Sequence, residues 1–118
     1  MDKDSYYYYE LGEESLQNDE INMAVKYYLK SVRIKRHFKT FERLYDCYCK
    51  LEQYDLAYYF LQSAYEENPN NDKVAFLHSL CLIEENKENE AKDILLSIIE
   101  RNPDYKKAKI EYEKIAEH

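Results

Sequence analysis

The sequence predicts an all-α fold assembled from a repeated pair of helices. One Gly and two Pro leave few turns, while Glu, Lys, Leu and Ala are abundant, which favours long helices joined by short loops. An alanine followed four residues later by a large side chain recurs at spacings of 33 and 34 residues, at Ala24 with Tyr28, Ala57 with Leu61, and Ala91 with Leu95. Pro69 and Pro103, also 34 residues apart, follow the last two of these motifs. A fixed period of this length indicates stacked helical hairpins.

A second pattern precedes each of these alanines and marks the first helix of each hairpin. It reads Tyr8-x2-Leu11-Gly12-x2-Ser15, then Phe41-x2-Leu44-Tyr45-x2-Tyr48, then Ala75-x2-His78-Ser79-x2-Leu82. Together the two patterns resemble the tetratricopeptide repeat, a helix–turn–helix unit of about 34 residues. The resemblance implies a right-handed α-solenoid of three such repeats with a C-terminal capping helix. It also implies that Ala24, Ala57 and Ala91 lie where two helices approach closely.

The repeat period sets the expected boundaries within a single domain over residues 1–118. We expect repeats at about residues 5–37, 38–71 and 72–105, with the capping helix at about 105–117. Helix punctuation refines this to seven helices, at about residues 5–17, 20–35, 39–51, 54–67, 73–85, 88–101 and 105–117. Asp4 or Ser5 is the expected N-cap of the first helix, and Asn71 or Asp72 that of the fifth.

The charge and the hydropathy pattern argue against nucleic-acid and membrane partners. The net charge is −7 and the pI about 5.0, whereas nucleic-acid binding depends on Lys and Arg neutralising phosphates. The most apolar run, residues 94–99, is far shorter than a membrane span, and no signal-peptide pattern opens the chain. Three cysteines, an odd number inside predicted helices, fit a reducing compartment, so we expect a cytoplasmic protein.

A metal site is the one chemical constellation that the sequence invites, at Cys47, Cys49, His78 and Cys81. Residues two apart on a helix diverge by about 200°, so Cys47 and Cys49 cannot face one ion. Cys47 and Cys81 hold the same position in successive repeats, where a small residue packs between helices, and we expect both to be buried while Cys49 faces a groove. The sequence therefore predicts no metal, no cofactor, no catalytic residue and no enzymatic activity.

The resemblance implies that the chain binds proteins through a concave groove lined by the first helix of each repeat. By register, the groove-facing residues are Tyr6, Tyr9, Glu13, Leu16 and Gln17 in the first repeat, Lys39, Glu42, Asp46, Cys49 and Lys50 in the second, and Lys73, Phe76, Leu80 and Ile83 in the third. The implied function is to hold a peptide or helical segment of a partner protein, as an adaptor, scaffold or co-chaperone. The alternative is a structural module that forms homo-oligomers through repeat faces or ends.

One binding mode of the family can be compared residue by residue. Repeats that hold the acidic C-termini of heat-shock chaperones use a clamp of Lys, Asn and Arg, and the matching positions here are Tyr9, Glu13, Arg43, Lys73 and Leu77. Only Lys73 fits, and Glu13 would repel a carboxylate. Capture of chaperone C-termini is therefore not expected.

The fifth predicted helix is apolar on nearly every side, which normally means burial all round. Phe76, Leu80 and Ile83 form a single stripe turned toward the groove. We expect this stripe to anchor the apolar face of an amphipathic helix, flanked by Lys73 and Lys107. The alternative is that the seventh helix or a second copy of the chain covers it.

Overall fold

The computed structural model describes residues 3–117, and those residues form an all-α structure, as the sequence predicts. The described chain contains α1 (Ser5–Gln17), α2 (Ile21–Ile34), α3 (Phe38–Lys50), α4 (Tyr54–Glu67), α5 (Asp72–Glu84), α6 (Glu88–Arg101) and α7 (Lys106–Ala116). Every boundary lies within one residue of its expected position. The helices fall into two compact units, one ending at Glu67 and one beginning at Asn68. That all of them form one domain stays a prediction.

Predicted caps start two of the helices. The Asp4 side chain accepts a hydrogen bond from the backbone N–H of Tyr7 at 2.8 Å and begins α1. The Asn71 side chain accepts one from the N–H of Val74 at 3.0 Å and begins α5. Each cap satisfies a backbone donor that has no partner inside its helix, which fixes where the helix starts.

The turn inside each hairpin uses the same backbone device without glycine. Asp19, Glu52 and Asn86 have left-handed conformations, with φ of 59°, 58° and 63°. The residue after each donates its N–H to a carbonyl five residues earlier, at 2.8 to 2.9 Å, which closes the preceding helix. The three turns hold equivalent positions in the repeats, so the period extends to the backbone conformation.

In the first unit, α1 packs on α2, α3 on α4, and α2 on α3. Ala24 and Ala57 are fully buried, as their place between helices requires. Gly12 meets the ring of Tyr28 so closely that a Cβ there would lie 2.5 Å from the nearest ring carbon. The Phe60 ring stacks on Phe41 and Tyr48, with centroids 6.1 and 5.7 Å apart. Small residues therefore let the helices approach, and aromatic rings fill the space that remains.

In the second unit, α5 packs on α6 and α6 on α7. Ala91, Leu95, Ile98 and Ala108 are fully buried and form much of its core. Asp72 at the start of α5 accepts a hydrogen bond from the Arg101 guanidinium at 3.0 Å, at the end of α6. The acidic residue at one helix start and the basic residue at the other helix end also suit the two helix dipoles.

Candidate functional site

The first helices of the three repeats carry the predicted groove residues, and their exposure follows the register. Exposed positions are Tyr6, Lys39 and Lys73 near the start of each helix, and Gln17 and Lys50 near the end of the first two. The positions between them are half-buried or buried: Tyr9, Glu13, Leu16, Glu42, Asp46, Cys49, Phe76, Leu80 and Ile83. Those of repeats one and two lie in the first unit and those of repeat three in the second. The residues that face solvent are thus chiefly those near the ends of these helices, which we call the outer register positions.

Glu13 belongs to a hydrogen-bonded network inside the first unit. Its Oε1 accepts a hydrogen bond from the Tyr28 hydroxyl at 2.6 Å and one from Arg43 Nε at 2.8 Å. Tyr28 is fully buried, and its hydroxyl needs a partner there. The network therefore joins α1, α2 and α3, and the carboxylate is already neutralised by an internal guanidinium.

The electrostatics of this network stabilise its charged form. Burial acts to raise the pKa of Glu13, but hydrogen bonds from Tyr28 and Arg43 and the charge of Arg43 outweigh it, and the pKa is lowered. Burial and the hydrogen bond to Glu13 raise the pKa of Tyr28. Arg43 is desolvated, yet its bond to Glu13 raises its pKa as well. Glu13 and Arg43 are thus held as an ion pair at neutral pH.

The second repeat shows the same internal use of predicted groove residues. Glu42 is only 7% exposed, and its carboxylate lies 3.4 Å from the Lys39 ammonium. The Asp46 carboxylate lies 4.0 Å from Arg43 Nη1. Glu42 and Glu13 are both predicted to line the groove, and in the structure both carboxylates contact cations of α3.

A cavity of about 270 Å³ opens between the start of α1 and the connection from α2 to α3. Its lining comprises Ser5, Tyr6 and Tyr9 of α1, Ser31 and the C-cap Lys35 of α2, and the N-cap His37 and Thr40 of α3. The register predicts only Tyr6 and Tyr9 of this set. The remaining residues come from a second helix and a connection, which a first-helix pattern does not reach.

Aromatic rings form the walls of this cavity. The Tyr6 and Tyr9 rings are stacked, with centroids 6.5 Å apart and planes 28° apart. His37 meets Tyr9 edge-on at 6.1 Å. The deep hydroxyls are occupied, because Ser31 Oγ donates to the Ser5 carbonyl at 2.7 Å and Thr40 Oγ1 lies 3.4 Å from His37 Nδ1. What the cavity offers a ligand is ring surface, with Lys35 as the one Lys, Arg, Asp or Glu in its lining.

The apolar stripe of Phe76, Leu80 and Ile83 in the second unit is less exposed than predicted. Phe76 is only 8% exposed, and the Tyr105 ring lies 5.8 Å from it. Tyr105 is the N-cap of α7, so the start of the capping helix covers the stripe at this point. Leu80 and Ile83 stay half-buried. The predicted free anchor is therefore corrected at Phe76, in favour of the alternative that the seventh helix covers it.

The three cysteines are thiols rather than disulfides, and their surroundings differ. Cys47 is fully buried, and burial raises its pKa to about 11. Cys49 and Cys81 are half-buried, so the equivalence of Cys81 to Cys47 in register does not extend to full burial. Within residues 3–117 no group of three or more His, Cys, Asp or Glu side chains could hold a metal ion.

Within residues 3–117, no helix combines the length and the apolar character that crossing a bilayer requires.

Two known structures with the same arrangement of helices match this chain over at least nine-tenths of both chains. The first TPR of Spaghetti (RPAP3), bound to an HSP90 peptide, is 18% identical over 96% of this chain and 90% of that chain, with a TM-score of 0.68. The Arabidopsis OM64 TPR domain is 17% identical over 97% of this chain and 95% of that chain, with a TM-score of 0.67. Both likenesses show the fold.

A third known structure and a family model extend this result. YrrB, described as a TPR protein with an unusual peptide-binding site, is 28% identical over 88% of this chain with a TM-score of 0.70, and the chain spans about half, 54%, of its length. No curated protein sequence matches the chain. The family model for the tetratricopeptide repeat matches residues 50–110, more than half of the sequence. The chain therefore belongs to the tetratricopeptide repeat family, whose fold is a scaffold for protein–protein interaction.

Proposed function

We propose that the chain binds a segment of a partner protein on the face of its first unit formed by α1 and α3. The observation that carries this proposal is the combination of an aromatic-walled cavity with exposed side chains at the outer register positions, Tyr6, Gln17, Lys39 and Lys50. Recognition sites combine a concave apolar anchor point with a polar rim, and this face supplies both.

The internal network supports this assignment by keeping the face rigid. Because the Glu13 carboxylate holds α1, α2 and α3 together, the cavity walls need little ordering when a ligand binds. The family supports it too: one relative is described with a bound HSP90 peptide and another with an unusual peptide-binding site. The clamp for chaperone C-termini is matched here only by Lys73, so a different segment is the proposed ligand.

The finer role is that of an adaptor or scaffold rather than an enzyme, in a reducing compartment such as the cytoplasm. The three free cysteines support the compartment, since thiols persist where glutathione keeps them reduced.

Selection of a random peptide library on the folded full chain tests the proposal. Peptides should be enriched, and Lys39→Glu with Lys50→Glu should weaken their binding because both lysines lie on the proposed face. Lys26→Glu with Arg33→Glu, exposed on α2, is the matched control with the same change in charge. Failure to enrich any peptide, or equal weakening by both pairs, would contradict the proposed face.

Self-assembly is a second candidate, favoured by the outer side of α4. Leu56 and Tyr59 there are 43% and 63% exposed, and residues three apart share one face of a helix. If this surface pairs two copies, light scattering should show a mass that rises with concentration and falls back to the monomer in Leu56→Ser with Tyr59→Ser.

A further inference from the structure

The cavity at the start of α1 has the size and the walls of a pocket for one side chain. At about 270 Å³ it falls below the roughly 300–1,000 Å³ typical of small-molecule sites. Its walls are the rings of Tyr6, Tyr9 and His37, and aromatic rings pair favourably at centroid distances of about 4.5–7 Å. A flat aromatic side chain is the ligand group that matches such walls best.

The polar groups around this pocket further restrict the kind of ligand group that it can bind. The buried Ser31 and Thr40 hydroxyls have internal partners, the Ser5 carbonyl and the His37 ring nitrogen. These two buried hydroxyls are therefore not free to bind a polar ligand. This favours a group bound through its ring surface, since a polar group would lose its water without replacement.

Lys35 is the one Lys, Arg, Asp or Glu among the residues that line the pocket. It forms no ion pair with any other residue that the structure describes. The neighbouring Arg36 is turned away, because its Nε contacts Glu67 at 2.7 Å and its guanidinium lies over the Phe41 ring. Although the whole chain has a net charge of −7, residues 26–39 hold its basic cluster. A negative charge beside the inserted ring is therefore attracted to Lys35.

We propose that this pocket takes an aromatic side chain of a partner protein segment that carries Asp or Glu next to it. The proposal rests on the proposed function and names the chemistry of the segment. The ring enters between Tyr6 and His37, and the neighbouring carboxylate lies by the Lys35 ammonium. No free C-terminus is needed, because the interaction uses side chains within the segment.

The experiment uses peptides selected from a random library on the full chain, resynthesised with amidated C-termini. We expect the selected sequences to share Phe, Tyr or Trp beside Asp or Glu. Tyr6→Ala should weaken their binding about tenfold, as loss of a central aromatic anchor does. Tyr7→Ala is the control on the same helix, since Tyr7 is 40% exposed and does not line the pocket, and it should leave binding unchanged.

The charge is tested separately. Lys35→Glu should weaken the acidic peptides and, in a repeated selection, replace Asp and Glu beside the aromatic residue by Lys and Arg, while Lys26→Glu should change neither. Wild-type binding should also weaken as salt increases. Circular dichroism of each variant establishes that it is folded.

Each other result overturns the proposal in a distinguishable way. If no peptide is enriched on folded protein, the proposed function fails and the pocket assignment fails with it. If peptides bind but ignore Tyr6→Ala and Lys35→Glu while losing affinity in Lys39→Glu with Lys50→Glu, the function stands and the pocket assignment is wrong. If Tyr6→Ala instead converts a dimer to a monomer in light scattering, the occupant is a second copy of the chain.

Discussion

Tyr9 in the first repeat and Phe76 in the third hold equivalent positions, yet only one of them lies beside an open cavity. In both cases the N-cap residue of a following helix places a ring against the side chain, His37 on Tyr9 at 6.1 Å and Tyr105 on Phe76 at 5.8 Å. His37 approaches edge-on and leaves a cavity next to Tyr9, whereas Phe76 is only 8% exposed. The same local device therefore leaves a pocket in one unit and completes a core in the other.

This difference shows that register selects the face of a helix but not its accessibility. Whether a residue on that face is accessible depends on which side chain caps the next helix and on how the ring of that side chain is oriented. A residue on the predicted binding face can consequently be structural, as Phe76 and Glu42 are, or exposed, as Tyr6 and Lys50 are. Mutations that treat the two kinds alike would confuse lost folding with lost binding.

The largest expected effect separates Phe76 from Tyr6. Phe76→Ala should lower the free energy of unfolding by about 3–5 kcal/mol, because it empties a buried aromatic site. Tyr6→Ala, at an exposed position, should change it by no more than about 0.5 kcal/mol. Urea denaturation of the full chain measures both. Equal losses would show that the contrast between covered and open positions is wrong.

The cost of an alanine substitution should also differ between Gly12 and Ser79, which holds the same position in the third repeat. Gly12→Ala should cost about 1–3 kcal/mol, because the new Cβ meets a Tyr28 ring whose hydroxyl is fixed by Glu13. Ser79 already has a Cβ and its hydroxyl bonds only the Phe76 carbonyl, so Ser79→Ala should cost less than about 1 kcal/mol.

The reason for that difference lies on α2 and α6. Tyr28 stands where the third repeat has Leu95, so only the first repeat needs glycine. In a Tyr28→Leu background, Gly12→Ala should therefore stop being destabilising and gain from the helix propensity of alanine. If Gly12→Ala costs the same with and without Tyr28, the close contact is not its cause.

The network at Glu13 should contribute a smaller, pH-dependent stabilisation. Glu13→Gln should cost about 1–2 kcal/mol at pH 7, because Tyr28 and Arg43 lose an ionised acceptor. Glu14→Gln, at the exposed next position, is the control. The folded-state pKa of Glu13 is lowered, so this stabilisation is fully present above its ordinary value of about 4.5 and is lost as pH falls through the folded pKa.

Thermal unfolding of wild type and Glu13→Gln across pH 3 to 7 measures this dependence. The difference between the two should shrink in acid, since protonated Glu13 resembles Gln. A difference that stays constant from neutral to acid pH would show that shape rather than charge holds the three helices together.

The smallest effect concerns the thiols and leaves stability unchanged. Cys47 should resist alkylation in the folded chain, because it is fully buried and its pKa is raised to about 11. Cys49 and Cys81 should be alkylated faster, since both are half-buried. Mass spectrometry after timed alkylation distinguishes the three. Equal rates for Cys47 and Cys81 would restore the equivalence that their register suggests.

The fold could be predicted from the sequence because its signals are local and repeated. The recurring alanines, Pro69 and Pro103, and caps such as Asn71 are each recognisable within a few residues, and their recurrence predicts all seven helices of the described chain. The right-handed sense of the array is a property of the whole and stays a prediction.

The candidate site was less accessible to sequence reasoning because it combines three elements. Tyr6 and Tyr9 follow from the helical period, but Lys35 and His37 lie in a connection whose side-chain directions no periodicity specifies. The internal role of Glu13 depends on Tyr28 and Arg43, which are 15 and 30 residues away. The one signal of this role in the sequence is Tyr28, which stands where the other repeats have Leu61 and Leu95. A buried tyrosine hydroxyl requires a polar partner.

Mapping of amide chemical shifts in the isotopically labelled full chain tests the central claim most directly. On addition of a selected, C-terminally amidated peptide, the largest shifts should fall on Tyr6, Tyr9, Lys35, His37 and Thr40, around the cavity at the start of α1. Shifts centred instead on Leu56 and Tyr59 of α4, with none at the cavity, would contradict the claim that the first unit binds its partner through α1 and α3.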